Sequence, residues 1–200
     1  MRARGAASLL VCVALVGFAA GTARATVVFS EDFESAQGLN NGKWTNNNSG
    51  VIVAGAGNGG TKGLKFNQKT AVGSRDLRSA RYNITQNTDY YISVDYKETT
   101  ATGILVFQEL NNGNNTVRTT YVFGDASVSP LVTWNGPGLG YTTYTAMIHT
   151  LPQTRRFRVI LYDRQSAVPI GNVYFDNLLI SDVPPAVATP TPVQWREIVK

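Results

Sequence analysis

The chain has 200 residues, of which 43% are hydrophobic, and its 18 basic and 13 acidic residues give a formal net charge of +5. Three of the basic residues and the one cysteine, Cys12, lie within the first 25 positions, so the remainder has 15 basic and 13 acidic residues, a net charge of +2, and no disulfide. This composition excludes a disulfide-stapled scaffold and gives no indication of a nucleic-acid partner, while it leaves ample chain for one hydrophobic core.

The first 25 residues have the pattern of an export signal. Two arginines precede an apolar run from Ser8 to Ala20, and Ala23-Arg24-Ala25 forms a small-residue cleavage site. The run has about 13 residues, whereas a helix that spans a bilayer needs roughly 20, so a membrane anchor is the less favoured alternative. We therefore expect a mature chain that begins at Thr26, has no membrane span and is secreted to the extracellular space, the cell surface or the periplasm.

Residues 26–183 are predicted to form short β-strands, separated by turns rich in Gly, Asn, Pro and Thr. In the clearest strand, Tyr90–Lys97, apolar and aromatic residues alternate with polar ones, and no stretch keeps a helical period for three turns. The predicted strands are Val27–Phe33, Val51–Ala54, Gly63–Asn67, Asp76–Ile84, Tyr90–Lys97, Ile104–Leu110, Val117–Phe123, Tyr141–Ile148, Arg156–Tyr162 and Asn172–Ser181. The pattern predicts one all-β domain, an antiparallel jelly-roll sandwich of two sheets.

Residues 184–200 differ in composition from the domain before them. The segment from Pro184 to Pro192 is rich in Pro and Thr, so we expect it to be extended and unable to form a core. The residues after it are too few for a domain. We interpret residues 184–200 as a linker or tail, and a further module or sorting signal beyond them stays an open alternative.

Catalytic motifs are absent from the sequence. After the export signal there is one histidine, His149, and no cysteine, and no G-x-S-x-G, H-E-x-x-H or P-loop pattern occurs. Thiol catalysis and ordinary zinc sites are therefore excluded. A pair of carboxylates could still hydrolyse a glycosidic bond, but no two acidic residues stand at a defined spacing. We therefore expect a protein that is not an enzyme.

Two acidic segments stand at the ends of the predicted domain, F-S-E-D-F-E-S at 29–35 and V-Y-F-D-N-L-L-I at 173–180. Alternation along the second segment places Asp176 on the same face as Leu178 and Ile180, where an isolated carboxylate is unfavourable. Carboxylate oxygens suit Ca²⁺, and the first and last strands of a sandwich are commonly neighbours. A calcium ion between the two segments would offset the missing disulfides.

These segments, together with Lys43-Trp44 after a Gly/Asn loop, resemble the jelly-roll carbohydrate-binding modules of the galactose-binding-like superfamily. Such modules begin with an acidic E-x-F-E strand followed by a loop and Trp, and they end in Y-x-D-D/N-V; the resemblance covers roughly residues 27–182. It implies a lectin-like β-sandwich with a structural calcium ion. The ligands that it implies are Glu31, Asp32 and Asp176, and Glu34 also matches the motif. Adhesin-type sandwiches have similar ends, so the family stays open.

A sugar site needs aromatic rings that stack on the apolar faces of the sugar, and amides or charged groups that bind its hydroxyls. Suitable side chains occur near the Gly-rich loop 134–140, on the polar face of Tyr90–Lys97 and on strands predicted to be neighbours. The candidate ligand-binding residues are Tyr91, Asp95, Gln108, Arg118, Trp134, Tyr141, Tyr144 and Arg156. The alternative for the aromatic residues is that they close the edges of the core.

The sequence thus predicts a secreted, monomeric, non-catalytic module that binds a polysaccharide or other glycan and holds a structural calcium ion. A structural or adhesive surface domain without a sugar ligand is the first alternative. A small glycoside hydrolase or polysaccharide lyase on the same scaffold is the second alternative. It is less favoured because a fold that is shared with enzymes is not itself evidence of catalytic activity.

Overall fold

The structure, a computed structural model, describes residues 25–45, 50–66, 73–99, 102–134, 140–165 and 171–185. These residues form twelve strands: β1 (Val27–Glu31), β2 (Gly50–Val53), β3 (Gly63–Phe66), β4 (Gly73–Arg78), β5 (Tyr82–Asn83), β6 (Asp89–Glu98), β7 (Thr102–Leu110), β8 (Thr116–Gly124), β9 (Val132–Thr133), β10 (Thr142–His149), β11 (Arg156–Gln165) and β12 (Val173–Ser181). Short 3-10 helices lie at Gly38–Asn40, Asn58–Gly60 and Ala126–Val128. None of the helices in these ranges has the length and apolar character to cross a membrane. The predicted export signal up to residue 24 and the tail from residue 186 lie outside the described residues.

Sheet 1 contains both ends of the domain. Its strands lie in the order β10-β6-β12-β3-β2, and β1 also pairs with β12. β12 pairs with β6 along one edge, while its other edge is shared by β3, at Tyr174 and Phe175, and by β1, from Leu178 to Ser181. All of these pairs are antiparallel. The expected neighbourhood of the first and last strands is therefore confirmed.

Sheet 2 has the order β4-β11-β7-β8-β9, and β5 pairs with the beginning of β11. Its pairs are antiparallel except for the short parallel pair of β8 with β9. The turn between β7 and β8 is made by asparagines: Asn114 has a φ of 64°, and the Asn111 side chain accepts a hydrogen bond from the Asn115 N–H at 3.0 Å. Asparagine tolerates this backbone conformation and bonds its own turn. The two sheets together confirm the predicted all-β jelly-roll sandwich.

Aromatic and aliphatic side chains fill the space between the sheets. One aromatic group surrounds Trp44, which stacks on Phe33 with ring centroids 6.0 Å apart. A second group surrounds Trp134, which stacks on Tyr96 at 3.9 Å. Ring pairs of this kind add about 0.5–1.5 kcal/mol each beyond the burial of their area. Aromatic packing therefore contributes cohesion to a domain whose described residues contain no cysteine and hence no disulfide.

The predicted strand Asp76–Ile84 is wrong, because the chain forms two strands there, β4 and β5, separated at residues 79–81. The Ser79 hydroxyl oxygen accepts the Val159 N–H at 2.9 Å, in place of a backbone carbonyl. Next to it, the Ala80 N–H donates to the Lys43 carbonyl at 2.7 Å. The segment thus leaves β11 and pairs with the loop that carries Trp44, and the pairing of β4 ends.

A bulge in β12 reverses the predicted orientation of Asp176. Asn177 has a φ of 46°, and the register with β6 shifts between Asp176 and Leu179. Leu178 and Ile180 are core residues, as is Phe175, so Asp176 faces outward from sheet 1. Its predicted grouping with Leu178 and Ile180 is wrong, because a bulge inserts one residue and inverts the alternation beyond it.

Candidate functional site

The side chains predicted to bind a ligand lie in several different places, and two of them belong to the core. Trp134 is 6% exposed, and its indole N–H donates to the Gly103 carbonyl at 2.6 Å. Tyr144 is half-buried and packs edge-on against Trp134, with ring centroids 4.3 Å apart. These contacts do not support a binding role for Trp134, because neighbouring side chains cover its ring. Trp134 and Tyr144 instead pack at the edge of the core, which is the alternative that the sequence leaves open for the aromatic residues.

Arg118 connects the two sheets. Its guanidinium pairs with the buried carboxylate of Glu109 and also donates to the His149 carbonyl on β10 at 2.5 Å. Glu109 accepts two further hydrogen bonds, from the Leu151 N–H at 2.8 Å and the Thr154 hydroxyl at 2.7 Å. Glu109 therefore holds the turn before β11, and Arg118 joins β8 to the end of β10, so both side chains have a structural role.

Tyr91, Asp95 and Tyr141 lie on the outward face of sheet 1. The Tyr141 hydroxyl donates to the Ala56 carbonyl, and Lys97 Nζ lies 4.9 Å from the centroid of the Tyr141 ring. Burial, with a smaller effect of the Asp176 charge, raises the pKa of Tyr141 above its usual range. A groove of about 350 Å³ crosses this face, and no aromatic side chain is among the described residues that line it. The groove therefore offers no ring on which a sugar could stack.

Asp95 on β6 and Asp176 on β12 are opposite each other in the strand register. Both carboxylates accept hydrogen bonds from a network of amide donors. Asp95 accepts hydrogen bonds from the side-chain amides of Asn58 at 2.9 Å and Asn177 at 2.8 Å. Asp176 accepts the backbone N–H groups of the same two residues, at 2.8 and 2.9 Å. Burial, reinforced by the charge of Asp95 and opposed by these hydrogen bonds, raises the pKa of Asp176. The network joins the loop at Asn58 to the bulge of β12. These carboxylates therefore stabilise the fold through intramolecular hydrogen bonds.

Glu31, the first of the predicted calcium ligands, is 2% exposed and organises the loop after β1. One of its oxygens accepts the Phe33 N–H at 3.0 Å. The other accepts the Asn41 side-chain amide at 2.8 Å and the Trp44 indole N–H at 3.0 Å. Phe33 has a φ of 57°, and the hydrogen bond to Glu31 supports this uncommon conformation. The carboxylate therefore orders the loop that places Phe33 against Trp44.

The arrangement of Glu31, Asp32 and Asp176 does not fit a shared calcium site. Calcium binds through oxygen lone pairs, but Glu31 and Asp176 direct theirs at N–H and O–H donors, and the exposed Asp32 accepts the Glu34 N–H at 3.1 Å. Within the described part of the chain, no group of three or more acidic, histidine or cysteine side chains could hold a metal ion. Calcium stays a prediction to which these contacts add no support.

The two sheets carry opposite charge. All eight arginines of the described residues lie on sheet 2 or directly beside its strands, together with four carboxylates. All four lysines of the described residues lie on sheet 1 or its loops, together with eight carboxylates. The arginines are Arg75, Arg78, Arg81, Arg118, Arg155, Arg156, Arg158 and Arg164. Sheet 2 is therefore positive and sheet 1 negative, although the net charge of the whole domain is small.

Alternation along β11 directs a row of side chains outward from sheet 2. Phe157, Val159 and Leu161 are core residues, so their sequence neighbours face the other way. We call this surface the arginine face; it consists of Arg156, Arg158, Tyr162 and Arg164 of β11 with Gln108 of β7 and Tyr121 of β8. Of the predicted ligand-binding residues, it therefore includes Gln108 and Arg156.

Two tyrosine rings flank a small pocket on the arginine face. Tyr121 is 41% exposed, and Tyr162 is half-buried on the opposite side of β7. The apolar side chain of Ile104, which packs with Val106 and Ile160, forms the floor. A pocket of about 170 Å³ lies here, and its lining residues are Ile104, Tyr121, Val128, Tyr162 and Arg164. Burial, and then the charge of Asp76, raises the pKa of Tyr162, so its hydroxyl stays a neutral hydrogen-bonding group.

The sequence patterns do not single out Tyr121, Tyr162 or Arg158 as site residues. Their outward direction follows from the alternation of the predicted strands Val117–Phe123 and Arg156–Tyr162, so that part of the signal is present in the sequence. Their proximity depends on β7 lying between β8 and β11, and the order of strands in a sheet is not encoded by local alternation.

No family model matches the sequence, and no curated protein matches it. Among solved structures, the fold is similar to a xylan-binding family 22 carbohydrate-binding module, with a TM-score of 0.53, 12% identity and coverage of 80% of this chain and 97% of that chain. It is also similar to the family 22 xylan-binding domain from Paenibacillus barcinonensis, with a TM-score of 0.51, 14% identity and the same coverage of both chains.

A third similar structure contains a carbohydrate-binding module joined to a catalytic one. It is the family 22 module with the xylanase module of a Clostridium thermocellum endo-1,4-β-D-xylanase, complexed with xylohexaose, at a TM-score of 0.52 and 16% identity. The match covers 78% of this chain and 28% of that one. At these identities the similarity shows the fold alone: this chain has the jelly-roll sandwich fold of the carbohydrate-binding modules.

Proposed function

We propose that this protein is an exported, non-catalytic module that binds a glycan on the arginine face. The observation that carries the proposal is the pair of Tyr121 and Tyr162 rings on either side of an apolar floor. The C–H faces of a pyranose ring stack on aromatic rings, whereas the sugar hydroxyls need polar partners nearby. The exposed outward face of sheet 2 supplies both kinds of group.

The position of the site on adjacent strands supports this proposal. Tyr121, Gln108 and Tyr162 come from three neighbouring strands of one sheet, and Gln108 donates from its amide to the Thr119 hydroxyl at 3.3 Å. Side chains on strands are held more precisely than side chains on loops, so little ordering is needed when a ligand binds. The similarity of the fold to xylan-binding modules agrees with the proposal of a glycan ligand.

The proposal of a non-catalytic role rests on the carboxylates near the tyrosines. Glycoside hydrolysis uses two carboxyl groups on either side of the scissile bond. Among the described residues, Asp76 is the carboxylate that faces outward beside Tyr162, and it forms an ion pair with Arg78. A carboxylate that is paired with arginine suits hydrogen bonding better than acid–base catalysis, and no carboxylate is among the described residues that line the pocket.

The proposal is tested by measuring binding of the purified full-length protein to a panel of soluble neutral and acidic polysaccharides, by affinity electrophoresis and calorimetry. We expect Tyr121→Ala to weaken binding by about tenfold or more, equivalent to about 1.4 kcal/mol. Tyr174→Ala is the matched control, because Tyr174 is a half-buried tyrosine on sheet 1, where Lys97 Nζ lies 4.7 Å from its ring centroid. Failure to bind any polymer, or equal effects of the two substitutions, would contradict the proposal.

A further inference from the structure

The outward arginines of β11 have neutral partners. Arg156 donates to the side-chain oxygen of Asn114 at 2.9 Å, and Arg158 to that of Gln108 at 2.5 Å. Arg164 donates to a hydroxyl, that of Ser127, at 3.2 Å (Oγ). A guanidinium presents several N–H donors in a planar fork, so each of these arginines keeps donors for another acceptor. Within the part of the chain that the structure describes, these side chains orient the arginines of the row, and no carboxylate forms an ion pair with Arg156, Arg158 or Arg164.

The carboxylates of sheet 2 compensate this row only in part, because the charge of Asp76 acts on Arg158 but its ion pair is with Arg78. Glu109 is fully buried and is used by Arg118, and Asp76 pairs with Arg78. Asp163 is buried in the sandwich, and Asp125 accepts from the N–H of Ser127 at 3.1 Å, in the turn after β8. The arginine face consequently keeps an excess of positive charge at its surface.

Arg158 lies close to other positive charges of sheet 2. Partial burial, and then the nearby charges of Arg78 and Arg81, lowers the pKa of Arg158, while Tyr162 and the charge of Asp76 oppose this shift. Like charges held together at a surface repel one another, and a bound anion would remove that repulsion. The crowding thus makes the face better suited to an anionic ligand than to a neutral one.

We propose that the glycan bound on the arginine face is an acidic polysaccharide, whose carboxylate or sulfate groups bind Arg156 and Arg158 while its sugar rings stack on Tyr121 and Tyr162. This inference rests on the proposed function and names the substrate class of the same site. Arg158 and Arg164 are six residues apart on one strand, a span of about 20 Å at roughly 3.3 Å per residue. The row can therefore contact several consecutive sugars of a chain that runs along β11.

The test compares matched polymers that differ only in charge. Binding of the full-length protein is measured to polygalacturonate and to the same polymer after its carboxyl groups are reduced, and to dextran sulfate and unmodified dextran. We expect at least one acidic polymer to bind about tenfold more tightly than its neutral counterpart. The preference should diminish as salt rises from about 0.05 to 0.3 M, because the Debye length shortens. The two pairs identify which anionic group is recognised.

Variants connect the preference to the arginine row. Arg158→Gln should weaken binding of the acidic polymer about fivefold to tenfold, and more than binding of the neutral one. Lys97→Gln removes one positive charge from sheet 1 and is the control, for which no change is expected. Equal binding of charged and neutral polymers with Tyr121→Ala still effective would overturn this inference and leave the proposed function intact. Equally tight binding of single-stranded DNA would also overturn it, since the face would then be a general anion surface.

Discussion

The outward faces of the two sheets are both rich in polar side chains, but they use them differently. On sheet 1, Asp95 and Asp176 direct their oxygens at Asn58 and Asn177, which belong to the protein. On sheet 2, hydrogen bonds to Asn114 and Gln108 orient the side chains of Arg156 and Arg158. Both guanidinium groups have further N–H donors and a positive charge with which a ligand could interact. The first face stabilises the fold, whereas the second has unused binding capacity.

This difference shows which property of a polar surface indicates a binding site. Both faces carry polar and charged groups, so the presence of such groups does not identify a site. What separates them is whether the hydrogen-bonding groups are already matched, and whether aromatic rings lie beside those that are not. By that criterion the groove on sheet 1, with Asp95 in its wall, is structural. The pocket between Tyr121 and Tyr162 is the candidate site.

The strongest test of the comparison is to remove Asp176 from sheet 1. Asp176→Ala leaves the N–H groups of Asn58 and Asn177 without their acceptor in a partly buried position. We expect the free energy of unfolding to fall by about 2–4 kcal/mol, since each unmatched buried donor costs about 1–3 kcal/mol. Urea unfolding measures the change. Asp32→Ala is the control, because Asp32 is an exposed turn residue, and a similar loss in both variants would contradict the structural role of the Asp176 network.

A buried carboxylate between the sheets should make stability depend on pH. Glu98 is 7% exposed and accepts the Tyr96 hydroxyl. Burial, with a smaller contribution from Asp125, raises the pKa of Glu98 from 4.5 to about 7. Between these values the folded state holds a proton that the unfolded state has lost, so stability falls as pH rises from about 4.5 to about 7, by up to about 3 kcal/mol.

Glu98→Gln removes this titration while keeping a hydrogen-bonding side chain beside Tyr96. The variant should unfold at nearly the same denaturant concentration at pH 5 as the unchanged protein, and at a higher one at pH 8. Urea midpoints at the two pH values measure the difference. An unchanged pH profile in Glu98→Gln would show that the carboxylate is ionised without penalty, and that the interior at this end of the sandwich is wetter than its burial implies.

Alternation along single strands carried most of the fold prediction, and departures from alternation account for its errors. β6 and β11 follow a strict two-residue period, and both were predicted within a few residues. Asn177 breaks the period in β12, and Ser79 ends β4 by substituting its hydroxyl for a backbone acceptor. Both events depend on a partner strand or loop, so a local pattern does not contain them.

The candidate site was predicted less well than the fold, for a related reason. Gln108 and Arg156 were identified because they are polar residues on predicted strands, but Trp134 was selected by its place beside a glycine-rich loop and lies in the core. The charge summed over the chain also concealed the signal, because arginine and lysine segregate onto different sheets. Only the strand order reveals that the arginines of β4, β8 and β11 share one sheet.

Removing an arginine from sheet 2 should affect stability far less than removing a carboxylate from sheet 1. Arg158→Gln takes away a charge that Arg78 and Arg81 repel, and the amide can still bond Gln108. We expect the free energy of unfolding to change by no more than about 0.5 kcal/mol, as for surface substitutions in general. Urea unfolding beside Asp176→Ala gives the comparison. A large loss of stability would mean that Arg158 is a structural residue and that the two faces do not differ in the way described.

The smallest effect is expected from chelation. Because Glu31 directs its oxygens at Phe33, Asn41 and Trp44, and Asp176 at its own donors, a calcium ion would have to displace hydrogen bonds that the fold already makes. We expect the melting temperature to be the same with EDTA and with added Ca²⁺. An ion that binds only the folded state stabilises it by RT ln(1 + [L]/Kd). A melting temperature that rises on titration with calcium would therefore show that the folded protein binds the ion. Repeating the titration on Asp176→Ala would then show whether the ion depends on Asp176, either as a ligand or through the network with Asn58 and Asn177 that Asp176 supports.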